Sequence, residues 1–366
     1  MIWILLLVAL GLAGLPWFAA LGLTLLVYSA YAGLDPLLIM LEFSRLAEMQ
    51  DLLAIPMLLW GLGLLQIQSI GAGRSVADAG HGQAAWAWSG KWLLQASRPG
   101  TVISAPSDIA ALLFAASPPL ILVWLVFGAV TPGHAPPLQH LLLAALVTAC
   151  FVAIFTAVRW PGPGRRGILG DLRCWLIPFL LLVPLAGVYS GHWPLLDAAG
   201  AAVAMVLVYG LLHRTVSIKE AVALMLESLK VFGRLALVLG LGLSWFALAF
   251  DHGIDRQWLN GLTVHLQWPF LTAILAGIWL SAVWMLGAWL LRPLPALIVG
   301  APWLFPVSAQ SGLAGAAIVL VTLLSLYAGY QLRTEQGARV LPLQRFIVLG
   351  VTILLILTAP VATQWL

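Results

Sequence analysis

Arg292 interrupts a long apolar run, directly before the segment Pro293-Leu294-Pro295. A guanidinium group deep in apolar surroundings is costly, so such an arginine usually faces a polar cavity or a partner. Its planar fork of donors suits carboxylate and phosphate groups. The two prolines lack backbone N–H groups and so leave carbonyl groups of the same stretch unpaired. These residues therefore predict a broken, charged segment that could bind an anion.

Three interpretations of Arg292 are open from the sequence. The guanidinium group binds an anionic substrate or a lipid headgroup, or it lies in a polar seam facing another subunit. In the third, the side chain reaches from the end of an apolar segment towards water.

The composition places these residues in a strongly apolar chain. Of 366 residues, 62% are hydrophobic and 8% are charged, which excludes an ordinary soluble globular domain. The apolar runs are continuous and rich in Leu and Ala, and about twenty such residues cross a bilayer as a helix. The predicted fold is all-α, a polytopic membrane protein with about eleven transmembrane helices, some of them broken or re-entrant.

Proline, glycine and charged residues divide the chain into apolar segments. The predicted spans are 2–32, 52–67, 107–130, 140–160, 174–191, 195–213, 231–250, 264–282, 284–308, 312–331 and 346–366. The first is long enough to break at Gly14-Leu15-Pro16. We expect one integral membrane domain over residues 1–366, with an N-terminal half at 1–160 and a C-terminal half at 161–366.

Basic residues concentrate in alternate short loops, as the positive-inside rule requires. They are Arg159, Arg165, Arg166 and Arg173, then Arg214, Lys219, Lys230 and Arg234, then Arg333, Arg339 and Arg345. This pattern predicts a cytoplasmic N-terminus and a periplasmic C-terminus in a bacterial inner membrane. The basic residues form no single patch, so no nucleic-acid partner is expected.

Two segments carry charges at helical spacing among apolar residues, residues 37–51 and 217–234. The second opens with Ser217-x-x-Glu220, the pattern of a capping box. Such helices are typical of a membrane surface. The alternative is that both are plain structural connectors.

The seven histidines are scattered, and none forms an HExxH motif or an i, i+4 pair with a carboxylate. Neither a metal site nor a catalytic residue is predicted, and the chain is not expected to be an enzyme. Among the eighteen tryptophans, Trp279, Trp284 and Trp289 recur every five residues and cannot line one helical face. We expect them to fill space between helices or to face a neighbouring molecule.

Five short motifs follow one another along the chain: Gly14-Leu15-Pro16, Leu53-Ala54-Ile55-Pro56, Gly187-Val188-Tyr189-Ser190-Gly191, the small-residue run 197–202, and Leu226-Glu227-Ser228. Their order and spacing resemble the large membrane subunit of tripartite ATP-independent periplasmic (TRAP) transporters. The resemblance implies a scaffold with a mobile transport domain, two re-entrant hairpins, and a site for sodium and a carboxylate substrate. It also implies a small four-helix membrane subunit and a periplasmic substrate-binding protein as partners.

The chain departs from that family at both hairpins. The first hairpin region, residues 68–120, is shortened, and Ser117-Pro118-Pro119 stands where the family has a longer proline-rich segment. In the second, residues 284–308, Leu291-Arg292-Pro293-Leu294 matches an apolar-Asp-Pro-Thr pattern. A late Thr-Pro-Pro-x-Gly break corresponds to residues 327–331, which contain no proline. An arginine repels a cation, so sodium coupling is not expected, and no cofactor is expected beyond a bound lipid.

The sequence supports two functional hypotheses. In the first, the chain is a divergent large permease subunit that transports a small organic anion. Its substrate contacts are then Arg292, Pro293 and Pro295 of the second hairpin, with Ser117, Pro118 and Pro119 of the first. In the second, it is a transport-inactive structural or accessory subunit of a larger membrane complex. Lipids and other integral membrane subunits are the partners in either case.

Overall fold

The computed structural model describes most of the predicted helical segments. The described residues are 2–33, 35, 37–70, 106–131, 133, 137, 183–184, 186–188, 190–251, 269–310 and 315–334. They belong to two compact units. Unit 1 comprises Met1–Glu48, Leu122–Pro136 and Ala236–Leu366, and unit 2 comprises Met49–Ile121 and Pro137–Leu235.

The regular structure in these ranges is entirely helical, which confirms the all-α prediction for the described part of the chain. The helices are α1 Ile2–Leu12, α2 Trp17–Ala32, α3 Leu37–Glu48, α4 Ala54–Ile70, α5 Pro106–Val130, α6 Leu195–Leu212, α7 Ile218–Asp251, α8 Pro269–Leu291, α9 Pro293–Gln310 and α10 Gly315–Thr334, with a 3-10 turn at Gln50–Leu53 before α4. The predicted spans 140–160 and 346–366 lie outside the described residues.

The first predicted span breaks at the expected place, between α1 and α2. Gly14 is left-handed, with φ of 93°. The N–H of Leu15 donates to the carbonyl of Leu10 at 3.3 Å, and the N–H of Gly14 donates to that of Gly11 at 3.2 Å. These two bonds form a Schellman motif, which satisfies the last carbonyls of a helix. Pro16 is the N-cap residue of α2, with the non-helical backbone of that position, φ of −56° and ψ of 137°.

The capping box at residue 217 is present. Both the N–H and the hydroxyl of Ser217 donate to Glu220 Oε2 at 2.8 Å, and the N–H of Glu220 donates to Ser217 Oγ at 3.3 Å. Beyond this cap the structure differs from the prediction. The segments 217–234 and 231–250 are one continuous helix, α7. The strongest helix breaker at their boundary is Gly233, and a lone glycine weakens a helix without ending it.

A second boundary also differs. The sequence pattern placed the boundary between two spans at residue 283 and a break inside the second span at Arg292. In the structure α8 runs through residue 283 to Leu291, so Arg292 alone separates the two helices. Val283 is only a weak helix former, whereas Pro293 and Pro295 cannot continue the ladder of α8. The prolines therefore set the break.

In unit 1, the core forms around one tryptophan of α8. Trp284 is 1% exposed, and its ring lies 5.6 Å from that of Phe305, which in turn lies 5.0 Å from that of Phe127. Trp279 is 42% exposed and Trp289 also faces outward. Of the three tryptophans spaced by five residues, one therefore fills space between helices and two line the outer surface.

Helix α10 packs closely along α8 at Gly329. A Cβ atom at this position would collide with the carbonyl oxygen of Met285 and would lie 2.9 Å from the Cβ of Ala288. Backbone on the opposite helix cannot move aside as a flexible side chain can. Glycine is therefore required for the observed distance between these helices.

Unit 2 is built on the packing of α4 against α6. Small residues of α6, including Ala198 and Ala202, are buried. The indole Nε1 of Trp60 on α4 donates to the carbonyl of Ala221 at 2.9 Å. This bond fixes the first half of α7 against α4.

By length and hydropathy, one helix of the described part, Leu195–Leu212, qualifies alone as a membrane span. The bent pair Ile39–Glu48 and Gln50–Leu65 adds a second if it is counted as one span. Shorter apolar helical stretches of 10–17 residues are Trp17–Ala32, Ser117–Val130, Gly277–Leu291, Pro293–Pro306 and Gly315–Tyr330. The eleven predicted spans stay a prediction.

Gly329→Ala is expected to destabilise the protein by about 1–3 kcal/mol, because the added methyl group overpacks the α8–α10 contact. Gly233→Ala is the matched control, since a Cβ there meets nothing within 4 Å. It should be neutral or stabilise α7 by up to about 1 kcal/mol. Chemical unfolding of both variants in detergent checks this. Equal stabilities for the two variants would contradict the close packing.

The capping box predicts a dependence of stability on pH. Two hydrogen bonds from Ser217 lower the pKa of Glu220 from its ordinary value of 4.5. A carboxyl group with a lowered folded pKa stabilises the fold above its unfolded pKa, and this contribution is lost as the pH falls through the folded pKa. The melting temperature of Glu220→Gln should lie below that of the wild type at neutral pH. The difference should vanish in acid, and a difference that persists there would contradict the assignment.

Candidate functional site

Helices α8 and α9 form an antiparallel hairpin with Arg292 at its tip. A Cβ at Gly287 would lie 3.4 Å from the Cβ of Ala296, and one at Gly300 would lie 2.9 Å from the ring of Trp284. In each of these two pairs, the two residues lie at nearly the same number of positions before and after Arg292, as expected for the two arms of a hairpin. The sequence placed Arg292 at a break, and the structure makes that break a turn of a single residue.

The backbone of Arg292 closes one helix and opens the next. Its N–H donates to the carbonyl of Ala288 at 3.0 Å, and its own carbonyl accepts from the N–H of Ala296 at 3.1 Å. The residue has φ of 76°, in the left-handed region where a helix C-cap normally has glycine. A residue before proline is usually extended. Such a conformation costs about 1–3 kcal/mol and is typical of functional positions.

The charge at the tip comes from the side chain rather than from the start of α9. Helix N-termini bind anions through free N–H groups, but Pro293 and Pro295 have none and are buried. Leu294 supplies the one free N–H group of the first three positions. The guanidinium group of Arg292 is exposed, and within the described ranges no carboxylate pairs with it. Its charge also complements the negative end of the α8 dipole.

The predicted site residues of the first hairpin lie in α5. Pro118 and Pro119 are buried inside this helix, and Ser117, half-buried, already has an interaction partner. Each proline removes one donor from the helical ladder, so backbone carbonyls of the preceding turn lose their usual partners. These three residues belong to unit 2, and Arg292, Pro293 and Pro295 belong to unit 1.

Two other motifs of the TRAP resemblance have structural roles. Residues 327–331, matched to a proline-containing break, are continuous helix within α10. At Gly187, the carbonyl accepts from Ser190 Oγ at 3.0 Å and from the N–H groups of His192 and Trp193 at 3.1 Å each. Gly191, with φ of 72°, completes this turn before α6.

Unit 1 also contains polar atoms that sequence reasoning did not assign to a site. In the described residues, five such atoms are buried without a hydrogen-bond partner: Nε1 of Trp245, Trp284 and Trp303, Oγ1 of Thr322 and Oγ of Ser325. Thr322, Ser325 and Gly329 share one face of α10 by their i, i+3, i+7 spacing. That small and polar stripe was visible in the sequence, but its burial was not. All five atoms can donate, so they suit an acceptor ligand.

No group of three His, Cys, Asp or Glu side chains that could hold a metal ion occurs in the part of the chain described. Comparison with models of known protein families and with curated protein sequences gives no match. The TRAP resemblance therefore rests on its sequence motifs alone.

Comparing Arg292→Gly with Arg292→Ala tests the left-handed turn, because both variants lack the arginine side chain and they differ in how easily the backbone adopts a positive φ. Glycine removes the cost of about 1–2 kcal/mol that a Cβ atom causes in the left-handed conformation. It also makes the unfolded chain more flexible, which lowers stability by about 0.4–1 kcal/mol. We expect Arg292→Gly to be more stable than Arg292→Ala by roughly 1 kcal/mol in chemical unfolding. Equal stability of the two variants would contradict the left-handed turn.

Arg214 is the matched control, because it also has a positive φ, of 55°. It caps α6, with the N–H of Thr215 donating to the carbonyl of Gly210 at 2.9 Å. Arg214→Gly should gain as much over Arg214→Ala, since the backbone cost is the same.

Proposed function

We propose that this chain is a divergent, shortened large membrane subunit of the TRAP type, which transports a small organic anion across a bacterial inner membrane. One observation carries the proposal. An exposed arginine stands at the tip of an antiparallel helical hairpin, in a backbone conformation that favours glycine, with no carboxylate partner among the described residues. Arg214 shares the positive φ, so it is the combination of this costly conformation with the tip of a helical hairpin that favours a functional role for Arg292.

The chemistry of the tip selects for anions. A guanidinium group offers two parallel N–H donors to one carboxylate, and such charge-assisted pairs are about twice as strong as neutral hydrogen bonds. The same charge repels sodium, so substrate binding at this hairpin does not depend on a sodium ion beside Arg292.

The outer surface of α8 supports a membrane location. Its exposed side carries large apolar side chains: Ile278, Trp279, Leu286, Trp289 and Leu290. Lipid accepts such a surface without penalty, whereas water does not. The buried, unpartnered donors of unit 1 place polar groups inside the same unit that bears Arg292. An apolar exterior around a partly polar interior suits a unit that carries a polar solute through lipid.

The second candidate is a transport-inactive subunit of a larger membrane complex. The continuous helix at residues 327–331 favours it, because a broken helix supplies the backbone ligands of a transport site. The apolar face of α8 would then contact another integral membrane subunit. Under the first hypothesis the partners are a small four-helix subunit and a periplasmic substrate-binding protein.

Uptake of radiolabelled monocarboxylates and dicarboxylates into proteoliposomes, with and without sodium, tests the proposal. Arg292→Ala should lower uptake by at least about tenfold, because a hydrogen bond to a charged group is worth about 1.5–3 kcal/mol. Arg292→Lys keeps the charge but not the fork and should retain part of the activity. Arg214 is also exposed and also has a positive φ, so Arg214→Ala is the control and should leave uptake unchanged.

Absence of saturable uptake for any carboxylate, with the partner subunits present, would favour the structural role. Equal losses for the Arg292 and Arg214 variants would show a general effect on folding and would contradict a substrate contact at the hairpin.

A further inference from the structure

The first half of α7, residues 218–235, has three distinct faces. The first face is buried and contains Ala221, Ser228 and Leu235, which follow one another at intervals of two helical turns. The hydrogen bond from Trp60 Nε1 to the carbonyl of Ala221 belongs to this face. It fixes the rotation of the helix about its axis, so the other two faces must point away from α4.

The second face is an exposed aliphatic stripe. Ile218, Val222, Leu226 and Leu229 are separated by four, four and three residues, which places them in one row along the helix. Their side chains are between 46% and 69% exposed. Scattered surface leucines are ordinary, but a continuous row of this kind marks an interaction surface.

The third face is charged and borders the stripe. Lys219, Lys230 and Arg234 are exposed and lie within about 60° of one another around the helix axis. Two carboxylates lie on the same side of the helix, Glu220 and Glu227. Glu220 is engaged by Ser217 in the capping box, and Glu227 already has an interaction partner. Three cations against two carboxylates give this side of the helix a formal net charge of +1, and the cations lie on the edge next to the apolar row.

We propose that residues 218–235 form a binding face for anionic phospholipid at the membrane surface. The aliphatic stripe enters the boundary between headgroups and acyl chains, and Lys230 and Arg234 contact lipid phosphates. An apolar face bordered by cations is the arrangement that binds anionic bilayers. The inference rests on the membrane location of the proposed function but not on transport or on Arg292.

Lipid fits this surface better than a protein partner does. The stripe is purely aliphatic and lacks the exposed Trp, Tyr or Arg anchors that usually carry the energy of a protein interface at its centre. The cations border its long edge over about 22 Å of helix, as a flat layer of phosphates requires. The four basic residues Arg214, Lys219, Lys230 and Arg234 also place this segment on the predicted cytoplasmic side, where the leaflet is negatively charged.

A depth measurement tests the stripe. The protein, with Cys150 and Cys174 replaced by serine, receives one cysteine by Leu226→Cys or, as a matched control, by Ala223→Cys on the charged side. Each is labelled with an environment-sensitive dye in nanodiscs of phosphatidylcholine and phosphatidylglycerol that contain a nitroxide lipid. The dye at residue 226 should be quenched severalfold more than the dye at residue 223. Equal quenching, or cross-linking of residue 226 to another protein in native membranes, overturns the proposal.

A competition measurement tests the charged edge. Native mass spectrometry compares retention of phosphatidylglycerol and phosphatidylcholine by the purified protein. Lys230→Gln and Arg234→Gln should each lower the preference for phosphatidylglycerol about fivefold, as expected for one cation near an anionic surface. Arg234→Lys should keep the preference. An unchanged preference in both Gln variants contradicts the proposal.

The two proposals fail in different ways. A chain that does not incorporate into nanodiscs contradicts the membrane location itself. A chain that incorporates but shows no difference between residues 226 and 223 contradicts only the lipid-binding face.

Discussion

The two backbone hydrogen bonds of Arg292 determine the arrangement of α8 and α9. Its N–H ends α8 on Ala288, and its carbonyl begins α9 at Ala296. A one-residue connection that satisfies both helix ends must turn sharply, which is why its φ is positive. The sharp turn makes the helices antiparallel and brings Gly300 against Trp284. The position of the guanidinium group and the burial of the Trp284 ring are thus consequences of one constraint on the backbone.

Glycines then set how closely the helices of unit 1 approach. Gly300 admits the Trp284 ring, and Gly329 admits the backbone of α8. Such close contact buries polar atoms of Thr322 and Ser325 that have no partner in the described structure. An unpaired buried hydroxyl group costs about 1–3 kcal/mol. In a unit that serves only packing, such unpaired groups bring no benefit. A unit that binds a polar solute can use the same groups as hydrogen-bond donors to the solute.

Local chemistry accounts for the predictions that the structure confirms. The capping box at Ser217 and Glu220 depends on residues three apart, and the break at Gly14 depends on adjacent residues. The boundaries predicted inside α7, at residues 231–234, and inside α8, at residue 283, were wrong, because helix length depends on the absence of strong breakers over many residues. The sequence alone does not group the six candidate site residues, because their division between units 1 and 2 depends on contacts distant in sequence.

The sequence by itself determined the helical class, the capping motifs and Arg292 as a charged residue at a proline-rich break, because propensity, hydrogen-bonding groups and charge belong to single residues and their neighbours. Tertiary structure alone decided that Arg292 is the tip of an antiparallel hairpin and that Trp284 is buried while Trp279 is exposed. It also decided which faces of α7 stay exposed between residues 218 and 235. Those outcomes depend on which helix covers which face, and a pattern within one helix does not contain its neighbours.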